Sequence, residues 1–172
     1  SEIVSGEYSK GTFRIYLTRP IKRINVLLSK LIVVCIYATL TMFFFYAYTL
    51  FLSTIVLGKG DLAVFHDGLL FLDESDILWR FFLAFIISNS VMITVSCLFF
   101  LFSSLSNNSV TPIISTISIV FIGTAISFIP IEFFERLNPY LFTGYIDLFL
   151  TAFYDPIPVD KIINCFIINI LW

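Results

Sequence analysis

Five apolar runs separated by short polar punctuation organise this chain. Leu31–Leu57 is 27 residues without a charge. As a helix it reaches about 40 Å, more than the roughly 30 Å hydrocarbon core, so it must tilt or protrude. Gly58-Lys59-Gly60 ends it. Phe81–Leu105 is a second span, with Trp79 and Arg80 at its edge and Ser88-Asn89-Ser90 inside it. Ser103–Ser109 is a polar turn, and Thr111-Pro112 restarts a helix with Pro in a tolerated first-turn position. The third span runs from about Pro112 to Ile129. Tyr140–Tyr154 is apolar and aromatic around Asp147, but its 15 residues are short for a span. The pattern predicts an interfacial or re-entrant helical segment there. The last run, Ile162–Trp172, has 11 residues against the roughly 20 a span needs. With no initial Met, the chain is expected to be a piece of a larger membrane protein.

The expected fold is therefore all-α, a polytopic membrane helix bundle. Composition agrees: 59% of residues are hydrophobic and 13% charged, whereas soluble chains carry roughly a quarter charged residues. The placement of charge matters more than its sum of -2. Lys10, Arg14, Arg19, Lys22, Arg23 and Lys30 precede the first span. Acids dominate both 58–80 (Asp61, Asp67, Asp73, Glu74, Asp76) and 132–161, the two expected outer loops. Basic residues collect on the cytoplasmic side of spans, so residues 1–30 and the 103–109 turn are expected inside the cell. The same distribution is a topology signal and not a nucleic-acid footprint. Cys35, Cys97 and Cys165 lie within apolar runs without metal-ligand spacing and read as small hydrophobes. His66 beside Asp67 reads as solvated.

The block from Glu7 to Lys30 holds more than charge. Gly11 gives a break, Thr12 can cap a following helix, and Pro20 starts a second helical stretch. From Ile21 to Lys30 the apolar and polar residues suit an amphipathic helix at the membrane surface. Glu7, then Gly11-Thr12, a hydrophobic-aromatic turn, Arg19-Pro20-Ile21-Lys22-Arg23, and Lys30 at the membrane edge resemble the cytoplasmic segment of type-2 ATP-binding-cassette exporter permeases. Tyr16 stands where an aliphatic residue is more usual, and the family's first two spans are absent. The resemblance implies that residues 1–30 are a coupling segment, with Glu7, Gly11, Thr12, Arg19, Pro20, Arg23 and Lys30 touching a separate P-loop ATPase subunit. It implies further that ATP and Mg bind that partner and not this chain, and that a second permease copy or paralogue completes the transporter. Residues 31–172 would then be the transmembrane region.

Within the spans, Thr111, Ser115, Gly123 and Ser127 form an i, i+4 row broken at Ile119, a spacing that lets helices approach closely in lipid. Ser115, Gly123 and Ser127 are the expected packing residues. Asn89 is the deepest strongly polar side chain, expected to make an interhelical hydrogen bond. Asp147 is expected on a solvated face. One His excludes H-E-x-x-H zinc chemistry, and neither G-x-S-x-G nor G-x-x-x-x-G-K-[ST] occurs, so no ATP hydrolysis by the P-loop route is expected of the chain itself. A non-transporting membrane subunit that only binds a partner is the alternative. A lipid-modifying enzyme is disfavoured because the sequence shows no polar residues clustered at one depth.

Overall fold

A computed structural model describes residues 23–56, 58, 62–65, 69–72, 74–106, 108, 110–129, 133–134 and 138–172. Among them, three helices are long and apolar enough to cross a membrane. Helix α1 spans Arg23–Val56, α2 spans Glu74–Leu105 and α3 spans Val110–Phe128. A 3-10 helix, Phe142–Phe153, and α4, Val159–Leu171, follow. The all-α bundle is what the apolar runs require, since lipid offers backbone groups no hydrogen-bond partners.

Residues Arg23–Lys30 form the first turns of α1 and run uninterrupted into the apolar stretch. Gly58, at φ +77°, follows the end of α1 in the left-handed conformation that glycine adopts at little cost. Helix α2 begins seven residues before the expected span. Asp76 lies in its first turn, where the helix dipole favours an acid. Between α1 and α2 lies an element that the apolar runs do not announce. Strand β1, Leu62–Phe65, pairs antiparallel with β2, Leu69–Leu72, in the register Leu62↔Leu72 to Phe65↔Leu69. Asp67-Gly68 between two apolar runs was the available hairpin signal.

At the opposite end of the bundle α2 turns tightly into α3. The Ser106 hydroxyl donates to the Asn108 carbonyl at 3.0 Å and accepts from the Asn108 N–H at 3.2 Å. The two ends are called here the hairpin face and the turn face.

Helix α2 is the hub, packing against α1, α3, the 3-10 helix and α4. Arg80, Ala84, Ile87, Val91 and Thr94 are all buried. Their spacing places them on one side of α2, facing the 3-10 helix and α4. Ile87 and Val91 join Tyr145, Leu148, Ile162 and Cys165 in the main core. The 3-10 helix is long for its type, and its three-residue period explains its burial. Phe142, Tyr145 and Leu148 form one buried row, whereas Asp147 and Leu150 lie on an exposed row. Helix α1 is attached differently, through rings: Phe43 and Tyr46 meet Phe85 of α2 at centroid distances of 6.2 and 5.0 Å.

Candidate functional site

Of the expected coupling residues, Glu7, Gly11, Thr12, Arg19 and Pro20 lie outside the described residues. Arg23 is the first residue of α1, and Lys30 lies about two turns further along the same helix. Any force applied at Arg23 therefore passes along one continuous helix into the membrane-spanning part.

The structure itself builds two arrangements of polar groups. The first fastens the 3-10 helix. Arg80, only 8% exposed, donates from Nη1 to the Tyr154 carbonyl at 2.8 Å and to the Ala152 carbonyl at 3.4 Å. A guanidinium suits this place, because carbonyls at a helix C-terminus carry partial negative charge. Phe81 adds an edge-on contact to Phe153 at 5.0 Å. At the other end of the 3-10 helix, Ser127 donates from Oγ to Asn138 Oδ1 at 2.8 Å. Gly123, one turn earlier on α3, lies against Thr143 so closely that a Cβ would overlap the Thr143 side chain. Gly123 is five residues from the end of α3, about 7–8 Å inside it. The 3-10 helix thus starts below the hairpin face, beside Gly123, and ends at Arg80. Tyr145 donates its hydroxyl to the Pro139 carbonyl at 2.8 Å, and the Trp172 indole donates to the Tyr140 carbonyl at 3.0 Å. Asp147 is exposed. Ser115 is half-buried and makes none of these contacts.

The second arrangement sits midway along α2. Asn169 on α4 donates from Nδ2 to Ser90 Oγ at 2.9 Å and to Cys165 Sγ at 3.3 Å. Thr94 donates to the Ser90 and Asn169 carbonyls at 3.2 and 3.3 Å. Asn89 and Ser90 line the same cleft as Thr94 and Asn169. Polar side chains therefore do cluster at one depth, against the sequence expectation. The bridge to α4 is made by Ser90, the neighbour of Asn89. Asn89 Oδ1 and Asn169 Oδ1 are buried with no hydrogen-bond partner. Asn169 lies 80 residues after Asn89, so spacing along the sequence does not pair them.

Cys35 and Cys97 also lie next to each other across the α1–α2 contact. No disulfide joins them, and Cys165 is free as well. Among the described residues no three His, Cys, Asp or Glu side chains gather as a metal ion would require. A second cleft of about 450 Å³ towards the turn face is lined by Leu31, Phe102, Ile119 and Trp172 among others, with Ser104 at its wall.

Comparison with known proteins completes the picture. The family described as "ABC-2 family transporter protein" matches residues 1–123, which takes in the N-terminal basic block, α1, the hairpin, α2 and most of α3. No curated protein and no solved structure matches the chain. A match over more than half of the sequence, on helices able to cross a membrane, settles the class: this multi-pass membrane protein belongs to the ABC-2 transporter family, as a permease component of an ATP-binding-cassette transporter.

Proposed function

We propose that the chain is the permease portion of an exporter, driven by ATP hydrolysed on a separate P-loop subunit that holds the ATP and Mg. The family match over the basic block and α1 carries this reading. In this arrangement the basic N-terminal block and the 103–109 turn are cytoplasmic, and the hairpin face is outside. Residues 1–30 touch the ATPase through Glu7, Gly11, Thr12, Arg19, Pro20, Arg23 and Lys30, and a second permease copy or paralogue completes the pathway. Closure of the ATPase subunits pushes on this segment, and the continuity of Arg23 with α1 delivers the push into the bundle.

The test is made on the full-length protein co-purified with its ATPase. Gly11→Val removes a backbone break that Gly provides cheaply, and Arg23→Glu reverses a charge at the head of α1. Both variants are expected to insert normally while losing substrate-stimulated ATP hydrolysis and export. Wild-type stimulation in both would contradict the coupling role, and absence of any associated ATPase would favour a non-transporting subunit. Orientation is checked with single cysteines in intact cells. An impermeant thiol reagent should reach position 147 and not position 108; the reverse would overturn the topology.

A further inference from the structure

Phe142–Phe153 keeps a 3-10 winding for 12 residues, although runs beyond about four residues are uncommon because their hydrogen bonds are poorly aligned. The residues themselves are patterned for a different winding. At about 3.6 residues per turn Thr143, Asp147 and Thr151 fall on one row, with Gly144 beside them. Phe142, Ile146, Phe149 and Phe153 would centre the opposite, apolar side, with Leu150 at the border.

The 3-10 winding breaks that order. Thr143 shares a row with Ile146 and Phe149, Asp147 with Leu150 and Phe153, and Thr151 with Tyr145 and Leu148. The cost shows at Thr143, which is buried against Gly123 with its hydroxyl enclosed and without a hydrogen-bond partner. Gly144 is crowded as well, since a Cβ there would overlap the Asn138 side chain. The present winding is held by contacts from other elements, above all by Arg80 on the Ala152 and Tyr154 carbonyls.

We propose that Phe142–Phe153 is a two-state element, latched in the 3-10 winding by Arg80 and able to rewind as an α-helix. Rewinding shortens its 12 residues from about 24 Å to about 18 Å. It carries Thr143 out of its enclosed position onto the row of Asp147, which is already exposed. The segment is joined to α3 through Ser127 and Gly123 and to α2 through Arg80. Release of the latch therefore changes the spacing that the segment sets between those two helices. Neither state involves residues 1–30, so the element is independent of the coupling role.

The experiment uses the full-length protein with its native cysteines replaced, in nucleotide-free lipid nanodiscs. Spin labels are placed at Tyr140→Cys and Asp155→Cys, exposed positions that flank the segment. Double electron–electron resonance reads their separation, and the protein without further change is expected at the longer distance. Arg80→Met removes the latch, whereas Gly144→Ala crowds Asn138 and raises α-helix propensity. Each is expected to move the larger population to a distance about 6 Å shorter. Thr143→Val keeps the side-chain shape and removes the orphaned hydroxyl. Added to Gly144→Ala, it should return most of the population to the longer distance. A single long distance in both variants would overturn the proposal, as would broadening about it without a second, shorter peak.

Discussion

Helix α1 and helix α2 have similar lengths and similar apolarity, yet they sit in the molecule in opposite ways. In the most apolar stretch of α1 only 6% of residues are buried, against 17% in α2 and in α3. Ala38 is the buried apolar residue that α1 contributes to the core, whereas α2 contributes Ala84, Ile87 and Val91 together with Arg80 and Thr94. The contacts differ in kind as well. Helix α1 touches α2 through the rings of Phe43, Tyr46 and Phe85 and through paired thiols, contacts that tolerate sliding. Helix α2 is tied to the 3-10 helix and α4 by directional hydrogen bonds from Arg80, Thr94 and Ser90's partner Asn169. In lipid, where apolar contact gains little over contact with acyl chains, such bonds and close packing decide what stays together. The less buried helix is also the one continuous with the expected coupling segment. On the proposed function, the difference reads as a lever beside a fixed block.

The largest expected effect comes from unfastening the block. Arg80→Met leaves the Ala152 and Tyr154 carbonyls without their donor, a cost of about 2–5 kcal/mol for two poorly satisfied groups. Hydrogen exchange of amides in Leu148–Tyr154 should rise sharply while exchange in α1 is unchanged; equal change in both would erase the contrast. Next is the close approach of α3 to the 3-10 helix. Gly123→Val should destabilise by about 1–3 kcal/mol through overpacking, read as a lowered midpoint of thermal unfolding. Thr143→Gly in the same protein should recover part of the loss, since the two sites are coupled by contact. The smallest effect belongs to α1. Phe43→Ala removes one ring contact, with Phe85, worth about 0.5–1.5 kcal/mol, and should loosen α1 without altering exchange in the 3-10 helix. A larger loss than that from Arg80→Met would reverse the assignment of block and lever.

How much of this was legible in the sequence follows from what each element faces. The long helices could be read because lipid demands unbroken apolar runs, and Leu31–Leu57 and Phe81–Leu105 are such runs. The inward side of α2 could not, since lipid-facing and core-facing positions are equally apolar and hydrophobicity loses its contrast. Its small and polar members, Arg80, Ala84 and Thr94, were the remaining signal. Asp147, singled out in the sequence by its charge, lies on the exposed row of the 3-10 helix. The short helical element at 142–153 was foreseen from its length, but its 3-10 winding shows only in the burial of Phe142, Tyr145 and Leu148 every third residue. The hairpin is signalled by Asp67-Gly68 alone, since its two strands are four residues each and lie among acids that mark the segment as an outer loop. The polar patch joins Ser90 to a residue 79 positions away, a pairing that spacing along one helix cannot reveal. Of the expected coupling residues, only Arg23 and Lys30 fall on described helix.

Cys35 and Cys97 offer the most direct test of α1 as a moving lever, because they already meet across the α1–α2 contact. The full-length transporter with its ATPase is oxidised with copper phenanthroline, and formation of the Cys35–Cys97 bond is confirmed by mass spectrometry. If α1 must shift against α2 for the machine to turn over, the cross-linked protein loses substrate-stimulated ATP hydrolysis and regains it on reduction, while Cys35→Ala is untouched by the oxidant. Full stimulation in protein shown to be cross-linked would contradict the account, since α1 would then do its work while fixed to the block.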